Sequence, residues 1–320
     1  MTAAQKLAIG AVLVALLAVF PFLGGMMTAN SHEFYMQQLT TMMILGLFCM
    51  SLDLLVGIAG LISLGHAAFF GLGAYLLVLT TPEYSTPSIL VQVPLALAGV
   101  GLAALVTGAL ALRTGGVYFI MVTLAMGQMF YYLFNDSKIA GGSDGIYLYF
   151  KPVLAVGGTT LLDLDNKQQF YLTTLAALVL SYLFLRAMLE APFGKVIRGI
   201  GINENRTGGL GYDIYAYKLV TFVIGGLFAG LAGILSASQY GFVNPGMAGW
   251  HMSGSALVTV ILGGAGSLSG PILGAFLIEL LRHGLERLTE HWLLPFGGLI
   301  ILMVLVLPRG LAGILARVRA

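Results

Sequence analysis

The sequence predicts an all-α polytopic membrane protein of about ten transmembrane helices, two of them broken at glycines, with both termini cytoplasmic. Three observations predict it. Of 320 residues, 58% are hydrophobic and 9% charged, with mean hydropathy +0.95, whereas a soluble domain carries roughly 25% charged residues. Apolar stretches near the 20 or so residues that span a bilayer as a helix recur with short polar gaps. One transmembrane domain therefore fills residues 1–320 and leaves no room for a soluble catalytic domain. The third observation is 44 glycines; in lipid, small residues let helices approach closely or break where a cavity needs bare backbone. Cys49 is the only cysteine, which excludes a disulfide or thiolate metal site within one chain. A net charge of +2 gives no reason to expect a nucleic-acid partner.

The first apolar run, Leu7 to Leu23 behind MTAAQK, has the look of a signal peptide. Its length and the poor cleavage site at Met27-Thr28-Ala29 favour a retained helix. A second helix is expected over Leu39 to Ala59. There Gly60-Leu61-Ile62-Ser63-Leu64-Gly65-His66 interrupts the pattern before a short helix, Ala67 to Leu79. Pro82 and Pro87 mark a turn. Helices follow at Ile89 to Leu112 and Val117 to Phe134, joined by Arg113-Thr114-Gly115-Gly116. Residues 135–169, mixed in charge and rich in glycine, form an external loop before the helix Phe170 to Leu189. After the polar loop 190–218 comes the helix Ala216 to Ala237, then a turn at Asn244-Pro245 and a half-length apolar segment, Ser253 to Leu262. Gly263 to Gly270 breaks it, and Pro271 opens a helix to Arg287 at a first-turn position that tolerates proline. The last helix is Trp292 to Leu307.

Charge distribution supports the count. With ten crossings and Lys6 inside, Arg113, Arg186, Lys195, Arg198, Arg206, Lys218, Arg309, Arg317 and Arg319 are also cytoplasmic, ten of the fifteen basic residues. Reading Ser253 to Arg287 as one helix would send the last three outside.

The loop Glu190 to Lys218 has its own order. Phe193, Val196, Ile197 and Ile200 recur at helical spacing, a second apolar run covers Leu210 to Tyr217, and Lys195, Arg198, Arg206 and Lys218 make it basic. A short amphipathic helix outside the membrane needs a partner surface, so this loop is where another protein is expected to grip.

The breaks share a rough pattern, GLISLGHAAFFGLGAY from Gly60 and GAGSLSGPILGAF from Gly264. Irregular backbone survives in lipid only when buried in protein or lining water. The pair therefore points to a solute path or gate carrying Ser63, Gly65, His66, Gly264, Gly266, Ser267 and Gly270. The plainer reading is that glycine loops merely join short helices at the surface. A lone His66 fits a satisfied interface residue better than a proton carrier. Asp53 costs about 2.5 to 3.5 kcal/mol at a helix centre, so it should face the bundle with a partner, in packing or hydrogen bonding rather than ion coupling. Gly226-x-x-x-Gly230 and Gly270-x-x-x-Gly274 read as close-packing faces.

There is no G-x-x-x-x-G-K-[ST] phosphate loop, no H-E-x-x-H and no G-x-S-x-G, so an enzyme reading is disfavoured and any ATP must be bound by another chain.

Four segments in order carry a resemblance: Gly60 to Gly71, Pro192-Phe193-Gly194-Lys195 running through Glu204-Asn205 to Leu210-Gly211, Leu262 to Pro271, and Leu307-Pro308-Arg309-Gly310-Leu311. Together they resemble the branched-chain amino acid type of ABC importer permease, across almost the whole chain. The resemblance implies two related permeases, two cytoplasmic ATPases that bind the ATP, and an external solute-binding protein, which loop 135–169 would contact. It implies a bacterial-type inner membrane, and a coupling helix within 190–218 whose contacts include Phe193, Gly194, Arg198, Glu204, Asn205, Arg206, Leu210 and Gly211. The cargo would be a branched-chain or other small amino acid, or a small polar solute such as urea or a short amide. Gly208 and Gly209 stand where the family commonly has alanine, and Asp53 where it more often has asparagine. The competing readings are an ion-coupled secondary transporter, which needs more than one intramembrane charge, and a passive channel, which needs no cytoplasmic partner.

Overall fold

Long apolar stretches without a bilayer-exposed polar backbone can only become helices, and among the described residues twelve helices, long and short, carry the structure. The computed structural model describes residues 3–22, 29–82, 87–156, 159–306, 310, 311 and 313. The helices are α1 (Ala3–Val19), α2 (Ala29–Asp53, ending in a π-helical turn Leu54–Ile58), α3 (Ala67–Thr80), α4 (Ile89–Ala111), α5 (Val117–Asp136), α6 (Lys167–Glu190), α7 (Pro192–Ile202), α8 (Glu204–Gly209), α9 (Ile214–Tyr240), α10 (Trp250–Gly263), α11 (Ser269–Glu286) and α12 (Leu293–Val306). Among the described residues, five are long and apolar enough to cross a membrane: α2 with its π turn, α4, α5, α6 and α9. Together with the shorter apolar helices they make a polytopic, helical membrane protein.

Contacts fix the directions. Tyr171 of α6 donates to the Leu17 carbonyl at 2.9 Å, and α6 runs on into α7, so α1 rises away from the α7–α8 end while α6 descends to it. Gln239 of α9 donates to the Gln37 carbonyl, and Gly225 lies against Leu55 and Ser51, which makes α2 and α9 antiparallel. His66 meets Ser51 and Phe70 meets Phe48, so α3 rises; Gly65 lies against Thr123 and Phe134 stacks on Tyr75, so α5 rises beside it. Ile272 packs on Gly46 and His283 on Phe34, so α11 rises along α2.

The two short central helices begin at mid-depth. Residues 59–66 climb as irregular backbone from the lower end to His66, level with Ser51, and α3 completes that passage. Conversely, residues 241–249 descend as a short strand at 242–243 and a 3-10 turn, Pro245–Ala248, until Ala248 sits against Gly71, and α10 completes the passage downward. The N-termini of α3 and α10 meet there, with the Ala67 N–H donating to Ser253 Oγ at 2.9 Å. Most of this non-helical backbone is packed against neighbouring helices, with Gly60, Ile62, Gly246 and Ala265 to Ser267 left exposed.

Four short strands modify the all-helical expectation. β1 (Ile146–Tyr147) pairs with β4 (Phe242–Val243), and β2 (Val153–Val156) with β3 (Thr159–Asp163), so the 135–169 loop is partly an ordered hairpin. Helix α2 also begins ten residues before the expected Leu39. Its polar first turns are tied down by Glu33 to Lys167 and by Gln239 donating to the Gln37 carbonyl. Leu23 and Leu307, the expected ends of the first and last helices, lie outside the described residues.

The centre of the bundle is α2, α3 and α9, and small residues bring them together. Gly226 faces Ala104 and Phe69, Gly230 faces Val100, and any Cβ on Gly233 would strike the Phe70 carbonyl. Gly274 likewise lies on the Thr259 carbonyl, at 2.5 Å from where a Cβ would sit. Since overpacking costs roughly 1–3 kcal/mol, Gly233→Val is expected to lower the thermal unfolding midpoint in detergent and the membrane yield. Gly254→Ala, which meets open space, should leave both unchanged.

Candidate functional site

The loop 190–218 is built on two helices rather than one helix and an apolar run. Pro192 opens α7 at its first position, and Val196, Ile197, Ile200 and Gly194 are buried on its inner face. Gly194 presses on the backbone of Leu189 so closely that no side chain fits, which locks α7 to the end of α6. Phe193 stacks on Tyr217 of α9 at 5.2 Å. Asn203 stops α7 in an extended conformation and caps α8, its Oδ1 accepting the Arg206 N–H at 3.0 Å. Glu204 bonds Lys218 at 2.6 Å, tying α8 to α9.

The outward surface carries Arg198, Asn205 and Arg206, with Ile202 and Leu210 as its apolar tip, 87% and 74% exposed. Gly211, at φ +89°, turns the chain back toward α9, its N–H donating to the Gly208 carbonyl at 2.9 Å and open space where a Cβ would sit. The expected second apolar run is therefore an exposed elbow at Leu210 to Tyr212 followed by the first turn of α9, whose Ile214 and Tyr217 pack on the core.

Beneath α7 lies the first break. The π turn Leu54–Ile58 ends α2, and Gly201 of α7 sits so tightly on the Ile58 carbonyl that a Cβ would overlap it. Gly60, at φ +72°, rests on Gly201 with only 3.5 Å left for a Cβ. The chain then passes Ser63, fully buried with no hydrogen-bond partner for its Oγ, and Gly65, pressed on the Thr123 carbonyl of α5. His66 Nε2 lies 2.9 Å from Ser51 Oγ, which itself donates to the Phe48 carbonyl at 2.6 Å. With the serine proton used, Nε2–H is the donor, and Nδ1 is left buried without a partner.

The second break is held by Asp53. Oδ1 accepts the Gly266 N–H at 2.6 Å and Oδ2 the Leu268 N–H at 3.0 Å, with the side chain fully buried. Such charge-assisted bonds contribute about 1.5–3 kcal/mol each, enough to offset the cost of an intramembrane carboxylate. They also hold Leu268 at φ +52°, a conformation a branched side chain resists. Ser267 Oγ donates to the Gly264 carbonyl at 2.7 Å and accepts the Gly270 N–H at 3.0 Å, which starts α11. A Cβ at Gly57 would collide with both Asp53 and Gly266, so the two breaks meet only because that residue is glycine.

Sequence reading missed Gly57, Gly201, Ile202 and Leu268. It also missed Glu279, 2% exposed in α11, which faces Arg282 at 3.1 Å and His283 at 3.5 Å. Asp53 is therefore not the sole buried acid in the bundle. A helix-period scan shows Glu279 only as one of several charges near the end of a span.

Asp53→Asn retains one acceptor and should lose about 1.5–3 kcal/mol with partial transport. Asp53→Ala leaves both N–H groups unanswered and should abolish uptake at normal expression, with a larger fall in unfolding midpoint. Full uptake by the alanine variant would show that the carboxylate does not hold the break.

Residues 34–307 match the family described as branched-chain amino acid transport system / permease component. The high-affinity branched-chain amino acid transport system permease protein LivM of Escherichia coli (strain K12) is 32% identical over 97% of this chain and 75% of its own length. LivH of Salmonella typhimurium is 26% identical over 57% of the chain and 54% of its own, and the D-allose transport system permease protein AlsC of Escherichia coli 33% over 41% of each. No solved structure matches significantly. On a match that spans both breaks and the loop 190–218, the chain belongs to the family of branched-chain amino acid transport permease components.

Proposed function

We propose that this chain is the membrane-spanning permease subunit of an ATP-driven ABC importer in a bacterial-type cytoplasmic membrane. It crosses ten times with both termini cytoplasmic. The alternating helix directions support that count: α1 rises from the α7–α8 end, and Gly310, past α12, packs on Gly264 beside that same end. Two ATPase subunits supply the ATP and dock on α7 and α8. A second, related permease completes the membrane domain, and an external solute-binding protein delivers the cargo to the hairpin side. The cargo is a branched-chain or other small amino acid, with urea or a short amide as the nearest alternatives.

The observation that carries this reading is the contact between α7 and the first break. A pair of short helices that offers Arg198, Arg206 and an apolar tip outward, and rests on the gate inward through Gly201 of α7, transmits a push without any chemistry of its own. Ion coupling has less support, because both Asp53 oxygens are taken by backbone N–H groups and Glu279 is paired with Arg282 and His283.

Extraction of the tagged chain in mild detergent, followed by native mass spectrometry, is expected to yield two ATPases and a second permease. Arg198→Glu and Arg206→Glu should insert normally yet separate ATP hydrolysis from uptake. A chain that never carries ATPases, or reversed charges that leave coupling intact, would refute the assignment.

A further inference from the structure

Most exposed helix faces are what lipid demands. On α4 the outward residues include Leu95, Leu102, Leu105 and Val106, and on α12 Ile301, Leu302 and Leu305. The outward face of α5 differs. Gln128, Met129 and Tyr132 lie together at helical spacing, lining a shallow concavity with Ala125 and, at its outer end, Asp136. The Gln128 Nε2 is buried and has no hydrogen-bond partner. Helix α10 packs beside α5 and exposes His251 and Ser255.

These groups sit at mid-depth. Gly127, next to Gln128, lies on Gly65, and Ser253, between His251 and Ser255, bonds the first residue of α3. An amide, a phenol, an imidazole and a hydroxyl facing hydrocarbon at that level would go unsatisfied.

We propose that the α5–α10 face is the wall of the water-filled solute path, with Gln128, Tyr132, His251 and Ser255 as its polar contacts. The proposal rests on the importer reading for the identity of the traffic. The wall carries no acid or base with a fixed charge at mid-depth; Asp136 stands only at the outer end of α5. It therefore suits a small solute of zero net charge, zwitterionic or amide-like, that exchanges water for donors and acceptors in turn. Met129 adds an adaptable apolar contact for a side chain. Below this wall the path reaches the exposed residues Ile62 and Ala265 to Ser267 of the two breaks.

The test uses the full chain with its partner subunits in native-composition membranes. Cys49, the only cysteine, is buried, so single near-isosteric substitutions can be read directly. Ala125→Cys and Ser255→Cys are expected to react with a small hydrophilic thiol reagent at least about tenfold faster than Ala98→Cys on the lipid face of α4, because the reacting species is the ionised thiolate. In the same membranes Gln128→Leu should depress solute uptake severalfold while the subunits still copurify. Cysteines at 125 and 255 as protected as that at 98 would overturn the wall, whether lipid or protein covers it. Labelling needs no ATPase, so its failure is distinct from a failure of the importer reading, which copurification decides. Undiminished uptake by Gln128→Leu would remove the amide from the path.

Discussion

A carboxylate inside a bilayer must be answered by donors, and the donors that answer Asp53 are the backbone N–H groups of Gly266 and Leu268. Everything near the second break follows from that. The two bonds hold a loop that includes a left-handed leucine, they set the start of α11 through Ser267, and they require the bare backbone of Gly57. An apolar side chain at 53 would fit the bilayer better but would leave two buried donors empty.

The first break is tied into the same assembly by shape rather than charge. Gly201 of α7 sits on Ile58 and Gly60, at the π turn just below Asp53. A movement of α7 therefore reaches the first break by direct contact and the second through a rigid helix end and two hydrogen bonds. Packed glycine contacts transmit such shifts well, because there is no side chain to yield. The irregular backbone of 59–66 occupies the lower half of the bundle and the strand and 3-10 turn of 241–249 the upper half, with α3 and α10 starting between them.

Much of this was legible in the sequence. Hydropathy located the spans, glycine clusters located both breaks, and helical spacing put Val196, Ile197 and Ile200 on one face of a helix, although that face is buried by the chain's own bundle and not held for a partner. The cost of burying Asp53 predicted a partner, but the partner is backbone 213 residues away, which carries no signature in a side-chain pattern. Gly57 and Gly201 were hidden for a related reason. Each is one glycine in an apolar helix, and only the approach of another segment gives it meaning. The polar opening of α2 looked like loop because its burial comes from α6 and α9, not from its own periodicity. Glu279 was hidden by its neighbours Arg282 and His283, which read as a charged helix end.

The central claim is that force on α7 moves the second break through Asp53. The most direct measurement is the rate at which Ala265→Cys, on the exposed part of that break, reacts with an aqueous thiol reagent in the assembled transporter, with and without ATP and vanadate. The account predicts a severalfold change in rate between the two conditions, lost when Asp53→Ala is added. Equal rates in both conditions, with the ATPases demonstrably trapped, would contradict it.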